Sequence, residues 1–127
     1  MAASSFTSVS IEPPLVSVCV QNSSQTWPRL RSATRIGLSI LAVGQDDACR
    51  SLSNRNGDRF AGVRWTRDDS GAIFIEGATA VLHCTVHSEL PAGDHAIALL
   101  QIHHVHADAD TAPLIFHGSR FRRLAEI

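Results

Sequence analysis

The segment from Thr79 to Ala107, TAVLHCTVHSELPAGDHAIALLQIHHVHA, restricts the fold more than any other part of this chain. Two long β-rich runs, 79–89 (partly alternating) and 96–107, flank the turn-forming PAGDH and read as the arms of a hairpin. The rest of the second half is β as well: 72–76 is a strand candidate, and PLIFH and RFRRL flank a turn at Gly118-Ser119. Upstream, LVSVCV (15–20) is a short strand launched by Pro13-Pro14, whose fixed φ ends whatever precedes it. Thr26 as N-cap, with Pro28 near the first helical position, predicts a short helix to about Ala33. IGLSILAV (36–43) reads as another strand, and 46–52 as a helix with acidic residues at its start. Asn56-Gly57 marks a turn before DRFAGV. Many short strands broken by one or two short helices, with no repeat and no linker, predict a mainly β Greek-key barrel.

Composition narrows the function classes. The chain has 127 residues, 44% apolar and 18% charged, which suits one globular domain and argues against disorder. Net charge is −1, so no basic face for nucleic acid or anionic membrane is implied. All 11 basic residues are Arg; without Lys there is no Schiff-base chemistry and no P-loop. Cys19, Cys49 and Cys84 are odd in number and widely spaced, which argues against a disulfide framework or structural zinc. Cys19 and Cys84, both in strand-like runs, are expected to be small buried hydrophobes. No apolar run approaches the ~20 residues of a membrane span and no signal peptide is visible. A cytoplasmic protein is expected.

Four stretches hold residues suited to chemistry. Ser4, Ser5, Ser8 and Ser10 lie in one loop-like stretch, and Ser23, Ser24 and Thr26 stand just before the predicted helix. Such hydroxyls serve as caps or as donors to phosphate oxygens. Asp58-Arg59-Phe60 offers a guanidinium for phosphate and a ring for a planar ligand, or a surface ion pair beside a core Phe. Gly93-Asp94-His95 stands at the hairpin tip, where Asp94 can orient His95 through one ring nitrogen. His103, His104 and His106 invite a metal reading, but a third ligand and a second shell have no obvious spacing.

Taken in order, ASSFTSVSIEPPLVSVCV, SSQTW, GDRFAGVRW, AGDH and PLIFHGSRF resemble the flavin reductase-like family, over Ala2 to Leu124. These are short-chain NAD(P)H:flavin oxidoreductases that serve two-component monooxygenases. The resemblance implies an FMN-binding split β-barrel, a homodimer, and FMN or FAD as cofactor with NADH or NADPH as co-substrate. It implies that Ala3, Ser4, Ser5 and Phe6 line the isoalloxazine ring largely through backbone groups. Cys19, Val20 and Gln21 would leave their strand beside the ring, and Ser24 and Thr26 would bind phosphate. Asp58, Arg59 and Phe60 would close over the ribityl and phosphate side. His95 would face the nicotinamide side as the catalytic residue, with Phe116-His117 near the site in some relatives.

In such relatives a helix and a first strand precede this stretch, so the single domain at 1–127 is expected to be N-terminally truncated relative to the family. Ala2 also stands where relatives usually carry Thr, removing a hydroxyl that could reach the flavin. The reaction implied is hydride transfer from NAD(P)H to flavin, with reduced flavin passed to a partner monooxygenase. The alternative is a non-catalytic FMN-binding module or carrier, since one fold hosts several functions.

Overall fold

The structure is a computed structural model that describes every residue from Met1 to Ile127. Its frame is the expected hairpin, longer than the sequence pattern suggests: β6 (Ala80–Ala92) and β7 (His95–Ala107) have 13 residues each. The strands run on through Leu90, Pro91 and Ala92 because Ala92 still pairs with His95 across a two-residue turn. Gly93 takes φ 65° there while Asp94 keeps a negative φ, the pattern of a type II′ turn, which wants glycine first.

A flat hairpin of this length could not wrap a core. Two register shifts, at His83/Cys84 and at Val86/Ser88, bend it, leaving His103 and His87 outside the pairing. Each shift also resets which side chains point inward. Beyond the second one Glu89 pairs with buried Ala98 and so points to the core side. There its carboxylate accepts a hydrogen bond from the Trp27 indole N–H and lies 3.5 Å from Arg31 Nε.

The main sheet adds β1 (Thr7–Ser10), β2 (Leu15–Gln21) and β3 (Ile36–Ile40), in the antiparallel order β1-β2-β7-β6-β3. β1 was expected to be loop-like. Thr7 and Ser8 instead pair with Ser17 and Val16, because the corner at Pro13-Pro14 folds the serine-rich stretch back along β2. Strands β4 (Trp65–Arg67) and β5 (Ile73–Ile75) form one small sheet, and β8 (Ile115–His117) and β9 (Arg120–Arg122) another. β3 stops at Ile40, three residues short of the expected end, and the chain leaves the sheet at Ala42, which bridges to Pro113.

The core is built by the inward faces of these strands: Val16, Val20, Ile36, Leu82, Cys84 and Leu100, closed by Trp27. Each fully buried aliphatic side chain contributes ~1.5–3 kcal/mol. β5 crosses β3 so closely that a Cβ on Gly37 would stand 2.0 Å from the Ile73 carbonyl oxygen. Helix α1 (Trp27–Arg31) lays Trp27 on this core, and α2 (Asp46–Ser53) buries Leu52. No helix is long and apolar enough to cross a membrane.

Candidate functional site

The functional geometry begins at the first residue of β1, Thr7. Its partner along β2 is Ser17, so no strand covers the outer edge of β2 from Val18 onward. Ser5 takes that place: its Oγ accepts the Cys19 N–H at 2.8 Å and donates to the Cys19 carbonyl at 3.3 Å. One hydroxyl therefore does the work of a strand residue and holds the Ala3–Phe6 segment beside β2. Cys19 is exposed, contrary to the expected burial, because it lies between Val18 and buried Val20 on the face of β2 that turns away from Val16 and Val20. Cys84 is fully buried, and burial pushes its thiol pKa up to about 11.

Other segments meet β2 at its end. Asn22, the next residue, donates its backbone N–H to the Asp94 carbonyl at 2.9 Å and its side-chain Nδ2 to the Gly93 carbonyl at 3.1 Å. Arg55 donates from Nη2 to the Gln21 side-chain oxygen at 2.7 Å, bringing in the 54–60 loop. Arg59 is anchored on the Leu52 carbonyl at the end of α2. Burial lowers the pKa of the Met1 amine and the nearby Arg59 guanidinium lowers it further, so this loop also neighbours the start of the chain. Ser24 Oγ accepts the Trp27 N–H at 3.1 Å.

At the hairpin tip the Asp94 carboxylate lies 2.6 Å from His95 Nδ1. That hydrogen bond, and then the charge of His95, hold the Asp94 carboxyl below the usual carboxylate range. An ionised carboxylate only accepts, so Nδ1 carries the proton and, in the neutral ring, Nε2 is left as a bare acceptor. The His95 side chain is 37% exposed.

The structure thus brings Ser5, Cys19, Gln21, Ser24 and His95 to one end of the hairpin. Val20 lies among them in sequence, but its side chain is buried in the core, so only its main chain is offered there. Ala3, Ser4 and Phe6 are exposed beside the uncovered edge. Thr26 stands at the helix start as expected but makes no cap bond; Ser24 does that instead. The Asp58 carboxylate turns onto the Phe60 N–H at 2.9 Å, and the Phe60 ring packs on Trp65 with centroids 5.6 Å apart. Phe116 and His117 are in the β8–β9 hairpin, where Phe116 meets Phe121 and Phe121 stacks under Arg50 of α2. Asn22 and Arg55 were not singled out by the sequence; an Asn directly after a strand and an Arg in a turn carry no signal until the fold joins them.

A family model for the flavin reductase like domain matches residues 1–125. The chain belongs to the flavin reductase like family. It is 38% identical to the NADH:FAD oxidoreductase SgcE6 of Streptomyces globisporus, whose structure in complex with NAD and FAD fragments superposes with TM-score 0.92, covering 98% of this chain and 76% of that one. BorF, the flavin reductase component of a bacterial two-component tryptophan halogenase, is 32% identical with TM-score 0.89, covering 100% of this chain and 82% of that one. The actinorhodin polyketide dimerase of Streptomyces coelicolor is 38% identical over 96% of this chain and 69% of its own length. The architecture is the split β-barrel of these flavin reductases.

The residues at the hairpin tip fit a flavin nucleotide. The exposed main chain of Ala3 and Ser4, held beside β2 by Ser5, suits the polar rim of a planar ring. Ser24 receives the Trp27 N–H on a lone pair and so keeps its own proton to donate to a phosphate oxygen. Arg55 adds a guanidinium group at the same end, which a lysine-free chain needs for an anion.

Proposed function

We propose that this protein is an NAD(P)H-dependent flavin reductase that moves a hydride from NADH or NADPH to FMN or FAD and supplies reduced flavin to a partner monooxygenase. The observation that carries the reading is the meeting of the Ser5 segment, the end of β2, the Arg55 loop and the Asp94–His95 pair at one end of a flavin reductase like domain. SgcE6 and BorF, by what they are named for, support flavin with NADH and a two-component arrangement.

Bound flavin supplies the hydride acceptor. The chain's own part is to bind and orient. Main chain from Ala3 to Phe6 and from Cys19 to Gln21 receives the ring. Ser24, Thr26 and Arg59 hold phosphate, with Asp58 and Phe60 shaping the loop that covers it. His95, its Nδ1–H fixed by Asp94, presents Nε2 to the nicotinamide nucleotide. Orientation of two planar partners accounts for most of the acceleration such a site can give, so no acid–base dyad is needed.

A homodimer belongs to this reading. The chain exposes 8,514 Å², whereas a compact monomer of this mass exposes roughly 6,600 Å². Part of the excess is apolar, at Phe6, Val9, Ile11, Leu90 and Val105, and a second copy is the partner we assign to it. Light scattering should give a mass of two chains. A reducing cytoplasmic setting suits the exposed free thiol of Cys19.

The test is NADH oxidation by purified protein with FMN or FAD added, followed by absorbance. Turnover that saturates with flavin is expected. Flavin binding without turnover would instead make the protein a non-catalytic carrier. His95→Ala should raise the KM for NADH about tenfold, the loss of one hydrogen bond, and leave the flavin Kd within about twofold.

A further inference from the structure

We infer that Asn22 is a positioning residue for His95, acting on it through the hairpin turn; the inference rests on the reductase reading above. The turn at Gly93-Asp94 has little else to hold it. A Cβ built on Gly93 would meet nothing within 4 Å, and the Asp94 side chain is 95% exposed. Outside its own hairpin, the turn is hydrogen-bonded only by Asn22, which satisfies the carbonyls of both turn residues. Asn22 in turn is fixed, because it directly follows Gln21, and Gln21 is paired with His95 across the sheet and bonded to Arg55.

The two bonds have different consequences. The backbone N–H to Asp94 survives any substitution at position 22 except proline, so the turn stays attached. The Nδ2 bond to Gly93 is the second point of attachment, and two points prevent the pivot that one point permits. A pivot at Gly93 moves the Asp94 carboxylate, and that carboxylate sets the tautomer and orientation of the imidazole 2.6 Å away. Through that carboxylate, Asn22 reaches the nicotinamide side of the site.

Asn22→Asp keeps the shape and removes the donor, and Asn22→Ala removes the side chain. Both should raise the KM for NADH about fivefold to tenfold, leaving the flavin Kd, measured by fluorescence quenching, within about twofold. The decisive comparison is made in the His95→Ala background, where Asn22→Ala should change the KM for NADH by less than about twofold, since there is no imidazole left to orient. Full additivity there, or a parallel rise in flavin Kd, would show a general structural role and overturn the inference. An active wild type with unaltered kinetics in Asn22→Asp overturns it alone. A wild type that binds flavin but never oxidises NADH overturns the reductase reading, and this inference with it. The isosteric Asp variant keeps the test open if the Ala variant does not fold.

Discussion

The two ends of the β6–β7 hairpin are made of the same strands and are held in opposite ways. At the base, Leu82, Cys84 and Leu100 are buried and face Ile36 and Val16 from neighbouring strands. The polar residues there pair with each other on the outer side: His83 lies across from His104 with ring centroids 5.3 Å apart, and its Nδ1 is 3.3 Å from Asp68. At the tip no hairpin residue from 90 to 97 is buried. Order comes from a few hydrogen bonds, two each from Ser5 and Asn22 and one from Arg55, each residue in a different segment. Packing is non-directional and large in sum, so the base carries stability. Hydrogen bonds are small in net energy but directional, so the tip can be precise and still open to a ligand.

If that division is right, substitutions at the two ends should separate stability from binding. Leu100→Ala, at the base, should cost ~2–5 kcal/mol in a urea titration and reduce flavin binding only in proportion to the unfolded fraction. A stability loss under 1 kcal/mol would break the comparison. Gly37→Ala should come next, ~1–3 kcal/mol, because the new Cβ meets the Ile73 carbonyl and that backbone must shift.

Alkaline pH sharpens the same contrast. Cys84 has its folded pKa raised from 9.0 to about 11, so the folded state favours the neutral thiol. The stability this gives is complete well below pH 9.0 and is lost as pH rises toward about 11, roughly 3 kcal/mol in all. Cys84→Ala should be less stable at neutral pH but lose that part of the alkaline slope. An unchanged slope would mean that another group titrates. Asp94 at the tip has its folded pKa lowered, so its share of stability is present above the ordinary carboxylate pKa and fades as pH falls through the folded value.

The smallest expected effect on stability is at the tip. Arg55→Ala removes the bond to Gln21 and should leave the urea midpoint unchanged, within about 0.5 kcal/mol, while weakening flavin binding about threefold to tenfold. A large drop in midpoint would show that the tip loops help to hold the barrel.

Much of this was legible in the residues because it depends on local chemistry. The alternation and turn of 79–107 require a hairpin, Gly93 a turn with positive φ, and adjacent Asp94 and His95 can pair without help from the rest of the chain. Asp46 and Asp47 mark a helix start in the same local way. The motif order, read as a resemblance, led to the family. What stayed hidden depends on groups distant in sequence. Glu89 points inward only because a bulge beside it resets the alternation, and no local pattern announces a bulge. The serine-rich stretch became a strand because β2 offered an edge to pair with. Cys19 and Cys84 look alike in sequence, yet one lines an exposed edge and the other is sealed in the core. Asn22 and Gly93 are 71 residues apart, and Arg55 and Gln21 34 apart. The sequence determined which segments could turn, pair and bury. Only the closed sheet decided which donors would meet which carbonyls, because a hydrogen bond requires its two groups within a few tenths of an ångström and an angle that no local rule supplies.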